Sequence, residues 1–366
     1  MRIYLKARTF KGAITFTGPL TFLLLLSCIH RCSASTSACT RSTNTSISGA
    51  PYNLRPVTSA DTSALCAVHD PSLVSENDVL YVFSTDAGRP PSPPYLAIRR
   101  SLDGGSTWST HGAVFTTLPA WVPQRVPTVG GLWAPDASYL NDRWFLYYAA
   151  SSFGSDVSAI GLATSPSLAA PTWEDRGAVL TSSAADPYNA IDPSLAVDPG
   201  TKQPWLVFGS FWGGIYIVRI DASTGLVDAG NNTVVHLAQR APPDALEGAF
   251  LAARPDGFYL FASWDFCCRG AASNYSVRVG RSARSIEGPY VDKNGLPMLR
   301  GGGTHLVGGG HGWAAGGGPG FLRDTLDSSF STMVLHGYDG LSGDPFLQLV
   351  TVSWGADGWP AVVALK

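Results

Sequence analysis

A short phrase recurs along the chain: an acidic residue beside a proline, at the mouth of a short apolar run. It reads His69-Asp70-Pro71-Ser72-Leu73-Val74, then Asn189-Ala190-Ile191-Asp192-Pro193-Ser194-Leu195-Ala196-Val197. Looser versions stand at Pro135-Asp136-Ala137-Ser138-Tyr139-Leu140 and Leu246-Glu247-Gly248-Ala249-Phe250-Leu251. A fifth, Pro319-Gly320-Phe321-Leu322, lacks the acid. After each start comes a pair of aromatic and β-branched runs of strand length, bounded by Gly, Pro, Asp and Asn. The pairs are 79–84 with 96–101, 143–150 with 158–165, 205–211 with 215–221, 257–264 with 275–282, and 331–339 with 346–354. Weaker outer segments include 108–115 and 173–180. No amphipathic helix of useful length is predicted. Repeated units of this kind bury their faces against one another. Five four-stranded units set radially make an all-β, five-bladed β-propeller, whose innermost strands line a central channel. Two β-sandwiches would use the same strands, but no linker divides the chain and the spacing of the acids would go unexplained.

The ends and the composition narrow the class. Arg2, Lys6, Arg8 and Lys11 precede an apolar stretch at 18–29, and Cys32-Ser33-Ala34 supplies small residues for cleavage. Residues 1–34 therefore read as a signal peptide, the apolar run being short for a membrane anchor. The expected protein is secreted and extracellular. Residues 35–60, rich in Ser, Thr and Asn, read as a flexible leader, and 61–366 as the propeller. A formal charge of −2 gives no basic footprint, so neither nucleic acid nor a membrane is an expected partner. The expected form is a monomer. Cys28 and Cys32 leave with the signal; Cys39, Cys66, Cys267 and Cys268 remain. Adjacent Cys267 and Cys268 either close a vicinal ring or pair with Cys39 and Cys66. No cysteine or histidine spacing suggests zinc. Asn44, Asn231 and Asn274 begin glycosylation sequons.

Inner strands of a propeller converge, so residues at their mouths come within reach of one another. Asp70, Asp136, Asp192 and Glu247 are expected to gather at one end of the channel. Like charges in a partly dehydrated pocket cannot all ionise, and their pKa values are driven apart. That arrangement supplies an acid and a base at one pH. A single Asp-Pro is an ordinary turn opener; four acids in step with a fivefold repeat point to chemistry.

Taken together, His69-Asp70-Pro71-Ser72, Trp133-Ala134-Pro135-Asp136, Asn189-Ala190-Ile191-Asp192-Pro193, Ser210-Phe211-Trp212-Gly213-Gly214 and Glu247-Gly248-Ala249-Phe250 resemble the motif series of glycoside hydrolase family 43. Within it they look like the endo-α-1,5-L-arabinanases. Phe266-Cys267-Cys268-Arg269-Gly270, Val279-Gly280-Arg281-Ser282 and Gly301-Gly302-Gly303-Thr304 extend the likeness, which runs from about residue 66 to the C-terminus. The resemblance implies an inverting hydrolase of arabinan, the pectin side-chain polysaccharide. It makes Asp70 the general base, Glu247 the general acid, and Asp192 the carboxylate that orients the acid. An exo-acting relative or a non-catalytic sugar-binding propeller are the alternatives. Trp133, Phe211 and Trp212 offer rings to a sugar face or to inter-blade packing. Asn189 and Ser210 are hydroxyl partners or turn residues, His69 is a further sugar contact or a backbone partner, and Asp136 is a further sugar contact or fixes the turn under Trp133. The family carries a histidine after Gly-Pro-Gly near an axial ion. No cofactor is expected to be required; Phe321 holds that histidine position here, which leaves an axial calcium or other ion open. His336-Gly337-Tyr338-Asp339 is expected to close the propeller.

Overall fold

Each sequence repeat folds as one antiparallel sheet of four strands, in chain order from one edge to the other. The structure, a computed structural model, describes residues 66–86 and 93–363. Blade 1 holds β1 (Val68–Glu76), β2 (Val79–Asp86), β3 (Tyr95–Ser101) and β4 (Ser109–Phe115). Blade 2 holds β5 (Gly131–Leu140), β6 (Arg143–Ser151), β7 (Ser158–Ser165) and β8 (Glu174–Ser182). Blade 3 holds β9 (Ser194–Val197), β10 (Pro204–Phe208), β11 (Ile215–Arg219) and β12 (Val235–Ala238). Blade 4 holds β13 (Leu246–Arg254), β14 (Gly257–Trp264), β15 (Ser276–Ser282) and β16 (Thr304–Val307). Blade 5 holds β17 (Trp313–Phe321), β18 (Phe330–Asp339), β19 (Pro345–Trp354) and β20 (Pro360–Val362). The first strands touch in sequence, β1 with β5, β5 with β9, β9 with β13, β13 with β17 and β17 with β1, which closes the ring. All five expected strand pairs form. The expected signal peptide and leader, with Cys39 and Asn44, lie outside the described residues.

Strand alternation explains why the ring closes. Along β6, Trp144, Leu146 and Tyr148 pack with Tyr81, Phe83 and Ile98 of blade 1. The intervening Phe145 and Tyr147 pack with Leu206, Phe208 and Val218 of blade 3. Successive side chains of a strand point to opposite faces, so an unbroken apolar run serves two neighbours. The other seams repeat the scheme, with Val207 against Leu260, Phe261 against Leu335, and Val334 against Val82. Each such side chain, fully buried, contributes about 1.5–3 kcal/mol.

The recurring phrase has a backbone cause. In β1, β5, β13 and β17 two residues face one on the partner strand: Asp70-Pro71, Ala134-Pro135, Gly248-Ala249 and Gly318-Pro319. The first of each pair is left-handed, with φ of 46°, 42°, 56° and 62°. Asp192, at φ 54° just ahead of β9, takes the same place in blade 3. Bulges of this kind re-aim side chains and often border active sites. They also correct the expected register of the acids. Only Asp70 and Asp192 sit on the bulge itself. Glu247 stands one residue before it and Asp136 two residues after it.

Two residues past the bulge, Asp136 meets a partner from the far end of the chain. Arg323 Nη2 donates to Asp136 Oδ2 at 2.8 Å and Oδ1 at 3.1 Å. The same guanidinium reaches the carbonyls of Leu195 and Ala137 and lies 5.0 Å from the centre of the Phe250 ring. Asp136 also accepts from the Leu195 amide at 2.8 Å and the Ser72 hydroxyl at 3.4 Å. Burial pushes its carboxyl up, and Arg323 pulls it back. All five blades therefore meet at this pair. The expected sugar contact of Asp136 is corrected: both oxygens are engaged inside the hub. Removing one partner of a buried pair leaves an uncompensated charge. Arg323→Ala is expected to destabilise the protein by about 3–5 kcal/mol in urea unfolding; a loss within about 0.5 kcal/mol, the range of a neutral surface change, would show the pair to be dispensable.

Candidate active site

The residues just before and on the bulges face one another around the axis. Asp70 Oδ2 accepts from the Thr85 hydroxyl at 2.9 Å, and that hydroxyl also accepts from the Ala134 amide at 2.7 Å. Asp192 Oδ2 accepts from the Gly248 amide at 2.9 Å, which ties it to the backbone next to Glu247. A side chain at Gly248 would stand 3.2 Å from Ser263 Oγ and 3.4 Å from Tyr275 Oη, at a φ that L residues rarely adopt. Glu247 Oε2 accepts from Ser210 at 2.6 Å and Oε1 from Tyr275 at 3.0 Å. Asp70 and Asp192 line a solvent-connected space of about 380 Å³ with Asp136, Gly248 and Gly318.

The three carboxyl groups act on one another. Burial pushes the Asp70 carboxyl up to about 6, the Thr85 hydroxyl opposing. Burial raises Asp192 well above the usual range, and the charges of Glu247 and Asp70 add to it. Burial also raises Glu247, with the Ser210 and Tyr275 hydroxyls lowering it and Asp70 raising it. Groups this strongly coupled titrate as a set.

Two expectations change at the last blade. Phe321, three residues past its bulge, matches Leu73, Leu195 and Leu251 in the other blades, and packs among Phe250, Phe261 and Met333. The axial histidine comes instead from the neighbouring strand. His336 on β18 is fully buried, opposite Gly317. Its Nδ1 accepts from the Asp70 amide at 3.2 Å and lies 3.9 Å from Asp70 Oδ1. Its ring stacks on His69 with centroids 4.4 Å apart. Burial holds both imidazoles below their usual range, His69 to about 4. Sequence reasoning also missed Tyr275, the second hydroxyl on Glu247. A side chain at Gly317 would run into Tyr275 at 2.0 Å. The Gly316–Gly320 run in the acid-free repeat was the signal: it makes room for both rings.

His69, Asp70 and His336 are the residues that could hold an axial ion, their ligand atoms lying within 4.8 Å of one another. His336 Nε2 is buried with no hydrogen-bond partner; because Nδ1 accepts from the Asp70 amide, the neutral ring carries its proton on Nε2 and offers no lone pair there to a cation. Calcium takes six to eight oxygen ligands, and within this set the Asp70 carboxylate alone offers oxygen.

The other expected contacts surround the acids. Trp133 is half-buried at the station that Glu247 holds in blade 4. Phe211 and Trp212 follow β10 in left-handed conformations, φ 47° and 21°, where strand had been expected. The Phe211 amide donates to the Leu246 carbonyl at 2.9 Å, which anchors the loop beside Glu247. Trp212 is 39% exposed, so its ring is open to a ligand rather than packed in a seam. Ser210 is buried on Glu247 and positions the acid. Asn189 is 1% exposed; its amide approaches the Ser155 carbonyl at 3.4 Å, and its Oδ1 has no partner.

Buried carboxyl groups with different partners, ringed by aromatic side chains, are the equipment of glycosidic-bond hydrolysis. The sequence model described as glycosyl hydrolases family 43 matches residues 65–360, and the chain belongs to that family. It is 38% identical over 296 residues to an extracellular endo-α-(1→5)-L-arabinanase of Bacillus subtilis, covering 80% of this chain and 87% of that one. It is 35% identical over 314 residues to an extracellular exo-α-(1→5)-L-arabinofuranosidase of Cellvibrio japonicus, covering 81% and 86%. A Cellvibrio cellulosa α-L-arabinanase solved with arabinohexaose superposes with a TM-score of 0.74 at 31% identity, covering 82% and 99%.

Hydrogen bonds to an ionised carboxylate favour that form. Removing the Ser210 hydroxyl should therefore raise the Glu247 pKa further. Ser210→Ala is expected to move the alkaline limb of kcat/KM to higher pH. A limb that stays or moves down, measured on a soluble oligosaccharide, would show that another group sets it.

Proposed function

We propose that this chain is a secreted, monomeric, inverting hydrolase that cleaves internal α-1,5-arabinofuranosidic bonds of arabinan. The observation that carries the reading is the placement of Asp70 and Glu247 on non-adjacent blades, with Asp192 against the acid's own backbone. An inverting pair needs about 6.5–9.5 Å between carboxyl groups to admit a water, which is the gap this reading requires between Asp70 and Glu247. Asp70 takes a proton from that water as its oxygen attacks the anomeric carbon. Glu247 gives its proton to the glycosidic oxygen, and the bond between that oxygen and the anomeric carbon breaks. Asp192 fixes the Gly248 amide and so the approach of Glu247.

Trp133, Phe211 and Trp212 stack on sugar faces, while Asn189 and His69 meet hydroxyl groups. No cofactor is required for these proton transfers. Likeness to the endo-acting Bacillus relative supports internal cleavage, and likeness to the exo-acting Cellvibrio relative keeps release from a chain end as the second reading.

Linear arabinan separates the two. Dimers and trimers as first products are expected, with the new reducing end in the configuration opposite to the substrate by proton NMR. Monomer as the first product would reverse the endo assignment, and retained configuration the inverting one. Glu247→Gln is expected to cut kcat by at least about 100-fold while an oligosaccharide still binds; wild-type turnover in that variant would remove Glu247 as the acid.

A further inference from the structure

Cys267 and Cys268 are disulfide-bonded to each other, their Cα atoms 3.8 Å apart. Cys66 is also disulfide-bonded, with its partner outside the described residues. The vicinal bridge follows β14 and lies against the rings that hold the catalytic carboxyls. Cys267 packs on Tyr275 and Tyr338. Tyr275 donates to Glu247. The Cys268 amide donates to Tyr338 Oη at 2.9 Å, and that hydroxyl meets His69 Nε2 at 3.2 Å. His69 stacks on His336, whose Nδ1 receives the Asp70 amide. One short loop thus touches the supports of both the acid and the base.

We propose that the Cys267–Cys268 bridge is a redox-sensitive positioning element, holding Tyr338 on His69, and that opening it lowers turnover. The backbone at Cys268 is left-handed, φ 65°, a region a non-glycine residue occupies only when held there. The bridge joins adjacent residues in one small ring, which holds the Cys267–Cys268 peptide and aims its amide at Tyr338. Cys268 is exposed, so a dithiol can reach it. The dithiol passes two electrons and two protons to the two sulfurs; the S–S bond breaks, two thiols form, and the dithiol closes to its own disulfide. The freed peptide can then leave the left-handed region, and Tyr338 loses its donor. Tyr338 and the bridge touch no reacting atom. They act through His69 and Tyr275.

This inference rests on the hydrolase reading. The experiment uses the secreted protein with dithiothreitol, linear arabinan as substrate, and iodoacetamide labelling with mass spectrometry to count freed thiols at Cys267 and Cys268. The expected result is a fall in kcat on the order of tenfold with KM unchanged, reversed by oxidised glutathione. Cys267→Ser/Cys268→Ser should begin at the lowered kcat and no longer respond to the reductant. Tyr338→Phe keeps the ring and should lower kcat with KM and unfolding temperature unchanged. Labelled thiols with unaltered kcat would overturn the proposal. So would a rise in KM alone, which would make the loop a sugar platform, or a double variant that still responds, which would assign the effect to the Cys66 bridge. If the untreated protein does not cleave arabinan at all, the function itself fails, and the two failures are distinct.

Discussion

The hub of this propeller depends on one buried ion pair. Inter-blade packing is hydrophobic and could tolerate small shifts, but Arg323 and Asp136 join all five inner strands through directional contacts. A guanidinium presents fixed, planar donors, so it sets distances between blades as well as attracting them. Asp70, Asp192 and Glu247 stand two or three residues before the hub contacts Ser72, Leu195 and Phe250 on the same chain segments, and their spacing inherits that geometry. Asp136 is thus the acid that makes the others useful without joining them.

The fold was legible because strand alternation and turn residues are local. Runs such as 143–150 showed their period, and the pairing of β6 with β7 followed. The candidate acids were legible as a group for the same reason, since a proline follows the left-handed residue in four of the five repeats, at 71, 135, 193 and 319. Their individual stations were not. A bulge counts two residues against one, and that count is fixed by hydrogen bonding across strands, which sequence does not display. Asp136 and Glu247 were therefore placed in one register when they stand three residues apart along it. His336 and Tyr275 escaped for a related reason. They reach the axis from second and third strands, through space that glycines of β17 leave open, and neither belongs to the recurring phrase that marked the first strands.

Electrostatics at the site follow from burial more than from contacts. Desolvation leads the causes for all three carboxyls, and neighbouring charges add to it at Asp192 and Glu247. Hydroxyl donors then divide the roles: Thr85 serves Asp70, while Ser210 and Tyr275 serve Glu247. The same burial lowers the pKa of His69 and His336, which favours the neutral form of both rings beside Asp70.

Chain order gives the Arg323–Asp136 pair a bearing on biogenesis. Domains generally assemble as synthesis proceeds from the N-terminus, and four blades precede Arg323. Until the fifth emerges, Asp136 has no cation and Asp70 has no His336 behind it. A nascent chain stalled at that stage would hold most of its sheets and no working centre, so quality control that samples the central acids would distinguish finished molecules from unfinished ones.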